Sequence, residues 1–197
     1  TQASTTIKTG ADNDQILVGN ATTGLDEIVG SLTLNGGQDR DTITFDDAAD
    51  TSDTSGLLTS THLSGLGLAS AATYSDMEYF NVNLGTGNDD FIIASTHDGR
   101  TRISANDGND DIDVWAIAGE TTIKANEGND TIQVGDTSQS FQGIQATLVV
   151  MGNQGNDDLV LDNASDTEDH QFLMTDSLLA GFGMPGQIQY GYPDVPF

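Results

Sequence analysis

Apolar and polar residues alternate with a period of two on both sides of a short turn that recurs along the chain. In one of the clearest copies, Val82 and Leu84 precede the turn, and Phe91 and Ile93 follow it. Alternation of this kind is typical of short β-strands with one buried face. Helical periodicity is not evident at useful length. The pattern therefore predicts an all-β chain built from strand–turn–strand units.

This unit occurs six times, and its turn is rich in Gly, Asn and Asp. Two short strands in a unit of some 20 residues cannot bury their apolar face alone. Stacked units would pair each strand in parallel with its equivalent and form a continuous narrow core. We predict a right-handed parallel β-helix or β-roll, a solenoid with coils of about 20–27 residues. The turns end on Asp14, Asp41, Asp89, Asp110, Asp130 and Asp157, at spacings of 27, 48, 21, 20 and 27 residues.

A longer repeat of 116 residues contains these units. Between Thr5 and Ser75, 25 of 71 residues are identical to the residue 116 positions later, without a gap. Self-similarity at a fixed period is the signature of a repeat architecture, and we expect the chain to be a piece of a longer protein. The predicted segments are one continuous solenoid over 1–197, a first copy at 1–116, a partial second copy at 117–197, and a recurring insertion or degenerate coil at 46–80 and 162–191.

The composition is strongly acidic and is specific in its choice of acid. The 31 acidic and 5 basic residues give a net charge of −26, and the chain has 23 Gly and no Cys. So few basic residues argue against nucleic acid or an anionic membrane surface as a partner, and no apolar run suggests membrane insertion. Only 5 of the acids are Glu, whereas a merely solvated acidic surface would use Glu freely. Asp with Gly suits turns and oxygen-liganded cation loops.

The turns resemble the hemolysin-type (RTX) calcium-binding repeats, whose pattern is Gly-Gly-x-Gly-x-Asp-x-apolar-x. Gly36-Gly37 and the segment Gly85-Thr86-Gly87-Asn88-Asp89-Asp90-Phe91 match best. The resemblance implies that the turn aspartates and nearby carbonyls bind calcium. Return segments such as Thr96-His97-Asp98-Gly99 do not fit the pattern, so a single row of calcium sites on one edge is implied. The 116-residue unit is also similar to modules of very large, tandemly repeated secreted bacterial proteins.

Stacked turns place like charges at the spacing of the strands, and a hard cation between neighbouring turns would relieve their repulsion. The Asp46–Asp53 cluster, which recurs at Asp162–Asp169, is either a second cation loop or a solvated acidic return. The candidate calcium ligands are Asp14, Asp41, Asp89, Asp110, Asp130, Asp157, Asn88, Asn109, Asn129, Asn156, Asp107, Glu127, Asp12 and Asp39.

These features favour a structural role outside the cell or on its surface. We expect a calcium-stiffened segment of an adhesin stalk, a surface layer or a filament. Its partners would be calcium and either further copies of the repeat or other surface proteins, and we expect calcium removal to unfold it. The alternative is an acidic surface that binds mineral, ice or polysaccharide. A polysaccharide-active β-helix enzyme is a weaker alternative. Such sites usually combine acids with Arg, Lys, His or Tyr on one face, whereas Arg40, Arg100 and Arg102 are expected in turns or returns that do not form such a face. We therefore expect no catalytic residues.

Overall fold

A computed structural model describes residues 3–191 of the chain. Within this range the chain forms strands and turns and contains no helix, and hence none that could cross a membrane. The prediction of an all-β chain is confirmed for these residues. The strands are β1 (Thr5–Gly10), β2 (Gln15–Gly19), β3 (Leu32–Gly37), β4 (Thr42–Asp46), β5 (Ser55–Leu58), β6 (His62–Gly65), β7 (Leu68–Ser75), β8 (Tyr79–Asn83), β9 (Asp90–Ile93), β10 (Arg100–Ser104), β11 (Asp111–Val114), β12 (Thr121–Glu127), β13 (Thr131–Val134), β14 (Thr147–Gln154), β15 (Asp158–Leu161), β16 (Phe172–Met174), β17 (Leu178–Gly181) and β18 (Gln187–Gln189).

The strands form two nine-stranded sheets. The first sheet has the order β1-β3-β7-β6-β5-β9-β11-β13-β15, and the second has the order β2-β4-β8-β10-β12-β14-β18-β17-β16. Most neighbours pair in parallel; the antiparallel pairs are β5–β6, β6–β7, β16–β17 and β17–β18. A tight hairpin cannot join parallel neighbours. After each such strand the chain therefore passes into the other sheet, and it then returns to pair with the earlier strand of the first one, as β3 does with β1.

Parallel neighbours are 20 to 27 residues apart along most of each sheet. Ile103 pairs with Ile123, and Ile16 pairs with Ile43. Apolar residues at the same position of successive units therefore stack on one another. The short period read from the sequence is the length of chain between stacked parallel strands.

Apolar side chains from both sheets form one core. The ring of Tyr74 in the first sheet lies 4.2 Å from that of Phe80 in the second, and Phe80 lies 5.6 Å from Phe45. All three side chains are almost completely buried, whereas Ile7 on the edge strand β1 is 37% exposed. Burying a large apolar side chain contributes about 1.5–3 kcal/mol, so this shared core is a main source of stability.

The predicted insertion at 46–80 contains a three-stranded antiparallel meander, β5–β6–β7, which lies in the first sheet. Its outer strands pair with β3 on one side and β9 on the other. In the second sheet β4 pairs directly with β8. The second copy forms the corresponding meander, β16–β18, in the second sheet, where β18 pairs with β14. Each meander therefore adds two strands to one sheet and none to the other.

Equivalent strands of the two copies lie in opposite sheets: β1 is in the first sheet and β12 is in the second. A meander stays in one sheet, so the chain from β1 to β11 visits the two sheets alternately nine times in all. Because nine is odd, the next copy begins in the other sheet. The two meanders consequently fall on different sheets, and both sheets reach the same number of strands.

Candidate cation site at the motif turns

The six motif turns lie in two separate rows. The turns that end on Asp14 and Asp41 lead from the first sheet into the second, and we call them the first turn row. The four later turns lead from the second sheet into the first and form the second turn row. The expectation of one row on one edge is therefore wrong. The meander occupies the position in the first sheet after which the next motif turn would be expected. The next motif turn instead follows β8, which lies in the second sheet, so it leads from the second sheet into the first.

Within each row the motif aspartates accept hydrogen bonds from the backbone of the preceding turn. Oδ1 of Asp110 accepts the amide of Asp89 at 2.8 Å, and Oδ1 of Asp130 accepts the amide of Asp110 at 2.8 Å. A buried amide without an acceptor costs about 1–3 kcal/mol, so these carboxylates stabilise the stacking of turns. The other pairs are Asp157 with the Asp130 amide at 3.1 Å and Asp41 with the Asp14 amide at 2.8 Å.

The motif asparagines of the second turn row make the same kind of contact in the opposite direction. The amide of Asn109 donates to Oδ1 of Asn88 at 2.7 Å, and the amide of Asn129 donates to Oδ1 of Asn109 at 2.8 Å. The row ends with the amide of Asn156 on Oδ1 of Asn129 at 2.9 Å. The Asn-Asp pair in each turn thus bonds the turn before it and the turn after it. The motif can therefore join neighbouring turns through side-chain oxygen acceptors alone, without a bound ion.

Burial leaves one oxygen of several motif aspartates without a hydrogen bond. Asp41, Asp110 and Asp130 are at most 2% exposed. Their Oδ2 atoms, and that of Asp14, are buried and have no hydrogen-bond partner among the described residues. Burial raises the pKa of Asp110 to about 7 and that of Asp130 to about 6, and neighbouring carboxylates add to both shifts. Ionisation of Asp110 and Asp130 is therefore costly unless a positive charge lies close to them.

The motif turns fit a calcium ion only in part. Calcium takes about six to eight oxygen ligands. The Oδ1 atoms accept amides, and so do turn carbonyls such as those of Asp89 and Asp110, which bond the amides of Asp111 and Thr131 at 2.9 and 2.8 Å. The described residues contain no group of three or more acidic or His side chains that could hold a metal ion. A bound ion would have to use the buried Oδ2 atoms with further carbonyls and water.

The remaining candidate ligands lie on the outside of the turns. Asp12 and Asp39 are exposed, have left-handed backbone conformations with φ of 74° and 76°, and are linked by the Asp12 amide on Oδ2 of Asp39 at 3.3 Å. Asp107 and Glu127 are exposed and form a parallel β-bridge with each other. The structure therefore places the candidates in two layers, with buried or half-buried aspartates inside and exposed side chains outside, rather than around common points.

Three residues that the motif does not identify extend the rows. Glu78, at the exit of the first meander, accepts the amide of Asp41 at 2.7 Å, as the next motif aspartate would. Asp53 accepts the amide of Asn88 at 2.8 Å, and the amide of Thr54 donates to Asp89 at 2.8 Å. These residues lie in the insertion and share no local pattern with the turns. Only their position in space reveals their role.

The Asp46–Asp53 cluster caps backbone amides. Oδ1 of Asp47 accepts the buried amide of Leu25 at 2.8 Å, and burial raises the pKa of Asp47 to about 6. At the same place in the second copy, Oδ1 of Asn163 accepts the amide of Phe141 at 2.9 Å. Since a neutral amide serves in place of the carboxylate, this contact requires an oxygen acceptor and no charge.

Asn109→Ala is expected to lower the free energy of unfolding by about 1 kcal/mol, because the amide of Asn129 loses its acceptor. Asn156→Ala is the matched control: Asn156 ends the row and accepts no amide of a later turn within the described chain. It should change the stability by less than about half as much. Urea denaturation of both variants measures the difference, and equal losses would contradict the assigned role of the asparagine row.

Comparisons with protein-family models, with curated proteins and with solved structures found no match for this chain.

Proposed function

We propose that this chain is a structural segment of a long extracellular protein, in which tandem 116-residue units form a stiff spacer stabilised by calcium. In this proposal the two sheets are opposite walls of one right-handed parallel β-helix. Right-handed crossing is the strong preference for parallel connections. Neighbouring units then share their core and cannot move independently, as in other stacked-repeat architectures.

The observation that carries this proposal is the exchange of sheets between copies. β12 continues the second sheet by pairing with β10 of the first copy, and β13 continues the first sheet by pairing with β11. The second copy therefore extends both sheets of the first copy, and its own meander restores the balance of strand number. A pair of units can repeat this arrangement without bending the stack steadily to one side.

Calcium is proposed because of the charge that the two turn rows bury. Asp41, Asp110 and Asp130 each bring a buried, unpartnered carboxylate oxygen into a row. A cation shared between turns would give these buried oxygens a partner and would take further ligands from carbonyls and water. Extracellular calcium, at about millimolar concentration, suits weak sites of this kind. In the bound protein the Oδ1 atoms would still accept the neighbouring amides.

The length of tandem proteins tests the proposed spacer. A pair of units contributes eleven strands to each sheet, seven from one unit and four from the other. At a strand spacing of about 4.8 Å, each unit should add about 26 Å. Proteins with two, four and six units, measured in calcium by small-angle X-ray scattering, should show a cross-section that stays constant while the length grows in proportion. A cross-section that grows with the number of units would overturn the proposal.

A further inference from the structure

We infer that the end of the molecule formed by β15, the loop at 162–171 and β16 is a docking surface for a strand–Gly-Asn-Asp turn–strand segment with the chemistry of β8–β9. The inference rests on the proposed tandem architecture and names the segment that makes the contact. Its basis is the first copy of the repeat, in which the equivalent surface is already covered.

In the first copy β4 and β5 are covered by β8 and β9. Thr42–Asp46 pairs in parallel with Tyr79–Asn83, and Ser55–Leu58 pairs in parallel with Asp90–Ile93. The turn between the covering strands bonds the underlying loop, since the amide of Thr86 donates to the carbonyl of Asp50 at 2.8 Å. Both sheets are thus closed by a single strand–turn–strand segment.

In the second copy the equivalent strands, β15 and β16, are the outermost strands of the two sheets within residues 3–191. Leu58 is completely buried in the first copy, whereas its equivalent Met174 is 62% exposed. Phe172 and Leu173 beside it are 60% and 55% exposed, and Val160 on β15 is 41% exposed. A cleft of about 720 Å³ separates the two strands and is lined by apolar side chains and by the acidic loop.

The loop retains the groups that bind the covering segment in the first copy. Asp53 accepts the amide of Asn88 at 2.8 Å, and Asp169 stands at the same place in the second copy. Asp46 accepts the side-chain amide of Asn83 at 3.1 Å, and its equivalent is Asp162. The acidic residues of this surface therefore match a side-chain amide of a strand like β8 and a backbone amide of the Gly-Asn-Asp turn that follows it.

Direct stacking of a second copy of the chain would not reproduce these pairs. Its exposed first strands are β1 and β2, which are equivalent to β12 and β13. Those strands pair with β10 and β11, whereas β4 pairs with β8. The repeat therefore always places a segment like β8–β11 between a surface like β15–β16 and a strand pair like β1–β2.

A large residue replaces a small one on this surface in the second copy, and this determines which residue of the docked segment must lie opposite it. Gly56 pairs with Phe91, and a Cβ at Gly56 would lie 2.6 Å from the Phe91 ring and 3.0 Å from Leu66. In the second copy Phe172 stands in place of Gly56 and Phe182 in place of Leu66, and their rings stack at 4.3 Å. Phe172 thus fills space that Phe91 occupies in the first copy. The occupant should carry a small residue opposite Phe172.

The test uses the 197-residue chain and fluorescein-labelled synthetic peptides that span residues 77–95. Four pairings are measured by fluorescence anisotropy: the natural chain and its Phe172→Gly variant, each with the natural peptide and with its Phe91→Ala variant. We expect the natural chain to prefer the Phe91→Ala peptide and the Phe172→Gly chain to prefer the natural peptide, each by about tenfold. Bound peptide should slow amide hydrogen exchange in 158–161 and 172–174.

Two results would overturn the docking surface. One is the absence of peptide binding, or affinities that do not cross over between the four pairings, while circular dichroism shows that both chains are folded. The other is protection of 158–161 and 172–174 by self-association without peptide, which would assign the surface to a second copy. Neither result alters the growth in length of tandem proteins, so the proposed function is judged separately.

Discussion

Gly128→Ala is expected to lower the free energy of unfolding by several kcal/mol, although it adds a single methyl group. Gly128 has φ of 135°, and a Cβ there would overlap the carbonyl oxygen of Gly108 in the neighbouring turn. The two turns would have to separate, which weakens the bond between them from the Gly108 amide to the Glu127 carbonyl at 3.0 Å. Strained backbone alone costs about 1–3 kcal/mol, and the lost contact between turns adds to it. Urea denaturation measures the total.

Gly10→Ala is the matched control for this substitution. Gly10 also has a positive φ, 107°, but a Cβ there would meet no atom within 4 Å. Its cost should be limited to backbone strain of about 1–3 kcal/mol. If both variants lose the same stability, close approach between turns is not what the motif glycine provides, and left-handed backbone geometry alone explains it.

Without divalent cations, the free energy of unfolding should fall as the pH rises from about 4 to about 7. Burial raises the pKa of Asp110 from 3.8 to about 7 and that of Asp130 to about 6. The folded state therefore binds more protons than the unfolded state in this interval, and stability declines with pH. A pKa unit is worth about 1.4 kcal/mol, so Asp110 alone accounts for a loss on the order of 4 kcal/mol. Urea denaturation in EDTA at a series of pH values measures the decline.

Calcium should reverse this pH dependence. A cation bound between the turns stabilises the ionised carboxylates, so stability in calcium should rise with pH and chelation near pH 8 should largely unfold the chain. Asp110→Asn supplies the control, because it keeps an oxygen for the Asp89 amide but cannot titrate, and its curve in EDTA should be flatter. A melt and circular dichroism spectrum unchanged by chelator at pH 8 would contradict calcium binding at these turns.

The alternation of apolar residues is sufficient to predict the strands that flank the motif turns, because burial on one face produces a pattern within a few residues. Ile103 and Ile123, for example, lie in the core and stack on each other as their spacing indicates. The Asp and Asn positions of the turns can also be found from the sequence, because the turns recur beside these strands. Their contacts could not, because Asp110 bonds the turn before it and Asn109 the turn after it. That directionality depends on the stacked backbone.

The roles of Glu78 and Asp53 were beyond reach of the sequence pattern. Each completes a row from within the insertion, where it follows no motif, and each acts on an amide 35 or more residues away along the chain. The role of the acidic cluster around Asp47 likewise follows from its contacts and not from the sequence pattern. Its copy, Asn163, makes the same hydrogen bond without a charge, and this could be recognised only when both amide donors were known.

Local periodicity and internal identity are enough to predict the strands beside the motif turns, the turns themselves, the 20- to 27-residue stacking distance and the 116-residue unit. How the strands between Asp46 and Phe80 pair follows only from the fold. They form a meander in one sheet, and this single choice makes the number of sheet visits odd. The motif turns therefore divide into two rows, and successive units exchange sheets. The place of the meander depends on its distant partners β3 and β9, and strand-forming residues look alike in parallel and antiparallel pairs.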